Sequence, residues 1–143
     1  MNYRPLGRTG IKVSPFSLAA MMFGAIGNPD YEECARIIRK ALDAGSNFID
    51  IADAYNKGES EEIVGETLKG RCESVVIGTK VYDPMGKEPN QQGSSRLWIT
   101  RAVEDSRRRL QIDYVDLDQI HRPTPESDIE ETLSGSDRSH KGG

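Results

Sequence analysis

Val75-Val76-Ile77-Gly78-Thr79-Lys80 decides how this chain folds. The run is almost continuously apolar, shows no inside-outside alternation, and ends on a charge. A strand of that kind is buried on both faces, as strands of parallel sheets are. Parallel neighbours need crossover connections, so helices are expected on either side. Upstream, Ser60 to Leu68 carries an apolar stripe of Ile63, Val64 and Leu68 at helical spacing, and Asn47 to Ile51 reads as the preceding strand. Before that, Asp30 with Glu33 marks a helix start. That helix runs to about Ala44, with Cys34, Ile37, Ile38, Ala41 and Leu42 on one face and Gly45 placed to end it. Phe16 to Ala20 is a short buried strand, and the segment before it, broken by Gly7 and Gly10, reads as a β-hairpin.

Downstream, Tyr82 to Ser95 is a long polar loop, of a length usually kept for function or disorder. Leu97 to Leu110 is helical, with Trp98, Ile99, Ala102, Val103 and Leu110 in phase, and the arginines at 101 and 107–109 read as a solvated helix end. Tyr114 to His121 is the next strand. Ser127 with Glu130 opens a further helix that is expected to dissolve within a few residues.

The order is therefore β-α-β-α-β-α-β-α after a hairpin, an α/β fold of parallel strands joined by right-handed crossovers. An open doubly wound sheet and a β/α barrel compete for that pattern. Gly24 and Gly27 give only G-x-x-G, short of the dinucleotide fingerprint of the open sheet.

Composition narrows the function classes. With 143 residues, 36% apolar and 29% charged, the chain reads as one soluble domain. A net charge of -4 gives no reason to expect nucleic acid. No apolar run reaches the ~18 residues of a membrane span. Cys34 and Cys72 form no metal or disulfide pattern, so no metal site is expected, and reduced thiols place the chain in the cytoplasm. Cys34 is read as a small apolar residue on its helix.

Chemistry concentrates at strand ends. Asp50, Lys80 and His121 close three successive strands, and a β/α barrel brings the carboxyl ends of its strands to one rim. Tyr55 lies in the loop leaving the Asp50 strand and can reach the same space. A phenol beside an ammonium is a better proton donor, a carboxylate can hold that ammonium, and a neutral imidazole can orient a carbonyl oxygen. Glu59 and Glu61 read as helix N-terminal charges and nothing more.

Asn47-Phe48-Ile49-Asp50-Ile51-Ala52-Asp53-Ala54-Tyr55, followed by Gly58-Glu59-Ser60-Glu61 and Gly65, resembles the first signature of the aldo-keto reductases. Thr79-Lys80, Asp113-Tyr114-Val115-Asp116-Leu117 and Gln119-Ile120-His121-Arg122-Pro123 resemble its later blocks, and Arg4 to Gly10 resembles the hairpin that closes the bottom of that barrel. The resemblance covers about residues 1–133. It implies a TIM-type parallel barrel, of which this chain holds about the first four β/α units. It further implies an NADPH/NADP-dependent oxidoreductase, NADH being the alternative, that interconverts small aldehydes or ketones and alcohols. Tyr55 would be the general acid, Lys80 and Asp50 would tune it, and His121 would position the carbonyl. Gly24 and Asp50 would approach the nicotinamide.

Two departures accompany this. Leu18-Ala19-Ala20-Met21-Met22-Phe23-Gly24 replaces the more usual L-G-x-M-x-F-G. After Leu133 the chain reads Ser134 to Gly143 with few apolar positions, so residues 134–143 are expected as a divergent, disordered tail of a truncated product. An open half-barrel would keep free sheet edges and self-associate through them. The readings from other classes are a non-catalytic, cofactor-sensing or assembly subunit, and a gene fragment without function.

Overall fold

The structure is a computed structural model describing residues 1–122 and 124–139. Its centre is a parallel sheet in the order β3 (Leu18–Ala19), β4 (Phe48–Asp50), β5 (Val76–Val81) and β6 (Leu117–Ile120). The intervening helices are α1 (Tyr31–Asp43), α2 (Glu59–Thr67) and α3 (Arg96–Leu110). An antiparallel hairpin of β1 (Arg4–Pro5) and β2 (Lys12–Val13) precedes them. Among the described residues the sheet does not close, and the architecture is a partial barrel with an N-terminal hairpin.

Each helix follows from local chemistry. Asp30 caps α1 by accepting the Glu33 amide at 3.0 Å, but the reciprocal half of the box is not made, because Glu33 pairs with Arg36 instead. Gly45 leaves the helix at φ +94°, where a side chain would be strained. Ser95 caps α3 through the Trp98 amide. The hairpin is fastened to the bottom of the sheet by Asn47, which accepts from the Ser14 amide at 2.7 Å and donates to the Lys12 carbonyl at 3.0 Å.

Alternate residues of β4 and β5 divide the molecule. Ile49, Ile51, Ile77 and Val81 face the helices and are fully buried or nearly so. On the other side Gly78 lies among Phe48, Leu117 and Gln119, and Asp50 and Lys80 meet. That second side is the concave face of the half-barrel.

Expectations for the last helix are corrected. The last helix, α4 (Ile129–Ser139), does not dissolve after Leu133 but crosses the stretch read as tail. Polar and small residues seat it: Thr132 donates to the Ser94 carbonyl at 3.0 Å, and Gly135 lies close against Arg96 and Ile99 of α3. Its first turn is tied by Asp128 to the Glu130 amide, not by Ser127. Pro123 and residues 140–143 lie outside the described residues. The loop 82–95 is internally bonded, with the Gly93 amide on the Tyr82 carbonyl at 2.7 Å.

Behind the sheet lies a buried polar layer. Glu61, wholly inaccessible, accepts from Thr79 at 2.6 Å and from the Arg109 guanidinium at 2.7 Å. Neither Glu61 nor Arg109 is a solvated helix charge, because each is the other's partner beneath α2 and α3. Close by, the carboxylates of Asp53 and Asp118 are buried without a hydrogen-bond partner among the described residues. Burial, with the Glu61 charge adding to it, pushes both carboxyls up to about 7. An acid raised in the folded state holds a proton that the unfolded chain has already released above about pH 4, so folding stability falls as pH rises from there to about 7. Asp118→Asn should therefore leave stability near pH 4 unchanged and raise it at pH 7.5 by at least about 1 kcal/mol. Urea unfolding at the two pH values checks this, and a variant less stable at pH 7.5 would contradict it.

Candidate active site

The parallel register places the site. β4 and β5 pair with Asp50 opposite Gly78, and β5 and β6 pair with Lys80 opposite Gln119. The Lys80 side chain thus points along the concave face toward the end of β4. Its ammonium meets the Asp50 carboxylate at 2.8 Å, the Ile51 carbonyl at 3.0 Å and the Tyr55 hydroxyl at 3.4 Å. An ammonium has three donors, and here each has an acceptor. Lys80 is correspondingly well covered, its side chain 14% exposed, while Asp50 is 31% exposed.

Tyr55 stands just past Ala52 and Asp53, and the Asp53 amide donates to the Lys80 carbonyl. The His121 amide donates to the Val81 carbonyl at 3.0 Å, which draws the end of β6 to the end of β5. The imidazole then meets the Tyr55 ring edge-on, with centroids 5.9 Å apart at 79°. Asp50, Tyr55, Lys80 and His121 are all brought together at the carboxyl edge of the sheet.

Gly24 has a different local explanation. Its φ is +117°, and a side chain there would collide with those of Asn56 and Glu59. Packing alone accounts for glycine at this position.

Several residues of the site were not picked out from sequence. Asn56 and Lys57 follow Tyr55 in left-handed backbone, at φ 50° and 56°. Such a pair is uncommon outside glycine and is held by its surroundings. For Asn56 the holding is visible: its amide donates to the carbonyls of Met21 at 3.2 Å and Phe23 at 2.9 Å and accepts from the Ile26 amide at 2.6 Å. Glu59, read as a helix charge alone, accepts from the Ala25 amide at 2.8 Å and the Tyr31 hydroxyl at 3.1 Å. Together these two side chains bind the 21–26 loop to the turn that carries Tyr55. An Asn after a motif tyrosine was the available signal. Gln119, whose amide lies 3.4 Å from Asp50, carried none.

An ammonium fixed between a carboxylate and a phenol, with an imidazole against the same phenol, can deliver a proton to one point and stabilise the anion left behind. Comparison with known proteins agrees on the lineage. The chain is 39% identical over 136 residues to the aldo-keto reductase YhdN of Bacillus subtilis, covering 92% of this chain and 41% of that protein. It is 38% identical over 137 residues to a probable voltage-gated potassium channel subunit beta of Oryza sativa subsp. japonica, covering 93% and 41%. The solved aldo-keto reductase AKR11C1 from Bacillus halodurans, in its holo form, superposes with a TM-score of 0.85 at 37% identity, over 96% of this chain and 46% of that one. The chain thus spans less than half the length of these relatives. Residues 18–143 match the profile described as the aldo/keto reductase family, and the chain belongs to that family.

Proposed function

We propose that this chain carries the proton-delivering half of a nicotinamide-dependent carbonyl reductase, interconverting small aldehydes or ketones and alcohols. The observation that carries the reading is the Lys80 ammonium in contact with both Asp50 and the Tyr55 hydroxyl. A nicotinamide dinucleotide, when bound, would supply the hydride that reduces the carbonyl carbon. As negative charge builds on the carbonyl oxygen, Tyr55 passes its phenolic proton to it, yielding the alcohol. Lys80 stabilises the phenolate that remains, Asp50 holds Lys80 in place, and His121 orients the carbonyl oxygen from the other side of Tyr55. Alcohol oxidation runs the same steps backwards.

The residues present fit the nicotinamide end of such a cofactor. Gly78, opposite Asp50 in the register, offers no side chain on the concave face, where an added Cβ would press on Phe48, Leu117 and Gln119. The Gln119 amide and the half-exposed Asp50 carboxylate supply the partners that a carboxamide needs. NADPH is the expected dinucleotide and Gly24 a further neighbour of it, both by analogy with the family. Localisation in the cytoplasm is supported by Cys34 and Cys72 as free thiols; among the described residues no helix is long and apolar enough to cross a membrane.

The likeness to the rice protein named as a potassium channel subunit favours a second reading, in which the same site binds cofactor without efficient turnover and the chain serves as part of an assembly. One experiment separates the two. The chain is assayed for reduction of a generic aldehyde with NADPH, both alone and joined to the second half of the Bacillus subtilis reductase's barrel. The chimera should turn over, and Tyr55→Phe should lower its kcat by about 10²-fold or more while cofactor binding stays nearly intact. A chimera that binds NADPH without turnover would favour the subunit reading, and full activity without the hydroxyl would remove Tyr55 from its role.

Asn56 provides a second check. Asn56→Ala removes three hydrogen bonds and leaves a left-handed alanine, and should cost about 1–2 kcal/mol of stability. Faster hydrogen exchange at the Ile26 amide would locate that loss in the 21–26 loop.

A further inference from the structure

His121 has a second side. Its Nδ1 atom is buried and makes no hydrogen bond among the described residues, yet it lies 3.4 Å from an oxygen of the Asp83 carboxylate. The register of the sheet produces this approach. Val81 pairs with Ile120, so the residue after β6 and the second residue after β5 leave the sheet side by side. The Tyr82 carbonyl between them is tied to Gly93, which holds the start of the loop in place. Asp83 and His121 are both largely covered, with side chains 27% and 23% exposed. The other oxygen of Asp83 faces the Arg122 guanidinium at 3.5 Å, and that arginine is 67% exposed. The remaining groups facing the imidazole are the Tyr55 ring and, behind it, Lys80 paired with Asp50.

An ionised carboxylate only accepts hydrogen bonds. A proton on the Nδ1 atom that faces it is the form such a carboxylate favours. A neutral imidazole has one N–H, so with Nδ1 protonated its Nε2 is a lone pair and cannot donate to a carbonyl oxygen. Only the imidazolium, with both nitrogens protonated, donates from Nε2 while facing Asp83. We propose that Asp83 is a positioning residue that sets the Nδ1–H form of His121 and so fixes which ring nitrogen is turned toward a carbonyl oxygen. The part that concerns the carbonyl rests on the reductase reading above; the tautomer does not.

The test is nitrogen-15 NMR of the two histidines in the chain, resolved from each other with a His140→Gln variant. In alkaline buffer the neutral ring of His121 should show protonated Nδ1 and bare Nε2. Asp83→Asn, which keeps an accepting oxygen, should preserve that pattern, and Asp83→Ala should shift His121 toward Nε2–H. A native chain with His121 as the Nε2–H form overturns the proposal, whether or not either variant folds. So does a folded Asp83→Ala variant whose tautomer is unchanged. In the active chimera, Asp83→Ala should lower kcat for reduction by about 10-fold with a smaller change in KM, and Asp83→Asn should restore part of it. Should the chimera prove inactive, the reductase reading fails while the NMR result still decides the role of Asp83.

Discussion

The ammonium of Lys80 is the point on which this structure turns. It reaches from β5 to the carboxylate that ends β4, to the carbonyl of Ile51, and to the hydroxyl of Tyr55 in the following turn. A lysine so enclosed stays charged only if its donors are satisfied, because desolvating an unpaired charge is expensive. Satisfying them fixes β4 against β5 and the turn against both. The same contacts that make burial tolerable therefore place a proton donor beside its stabilising cation.

The two faces of the sheet share the work. On the helix side, Thr79, Glu61 and Arg109 bind β5 to α2 and α3, one residue away from Lys80 along the strand. Removing one member would leave a buried charge alone, so that layer resists small displacements. In the same layer, the carboxylates of Asp53 and Asp118 are buried without hydrogen-bond partners among the described residues, and they tie the fold's stability to pH. On the concave side, Asn56 and Glu59 carry the constraint outward to the 21–26 loop.

Much of this was legible in the residues. An unbroken apolar run ending in Lys80 reveals a parallel strand, and an ionisable residue at the end of each of three successive strands shows where chemistry gathers, because strand periodicity is local and survives any packing. The helix cap at Asp30 is local too. Glu61, Arg109 and Asp83 were hidden for the opposite reason. Each is an ordinary surface-type residue in sequence, and its partner lies on another element, brought near only by the register of the sheet. The extent of α4 was misread because Thr132 and Gly135, polar and small, do the packing that apolar residues were expected to do.

If the account is right, the Lys80 ammonium is already held in the folded chain, without substrate or cofactor. Proton exchange of lysine side-chain ammonium groups measures this most directly. Lys80 should give a slowly exchanging signal near neutral pH, distinct from those of Lys69 and the other exposed lysines, and it should be lost in Asp50→Ala. An ammonium at Lys80 that exchanges as fast as Lys69 would mean that its contacts with Asp50 and Tyr55 do not persist in solution, and the assembled site proposed here would not exist in this chain.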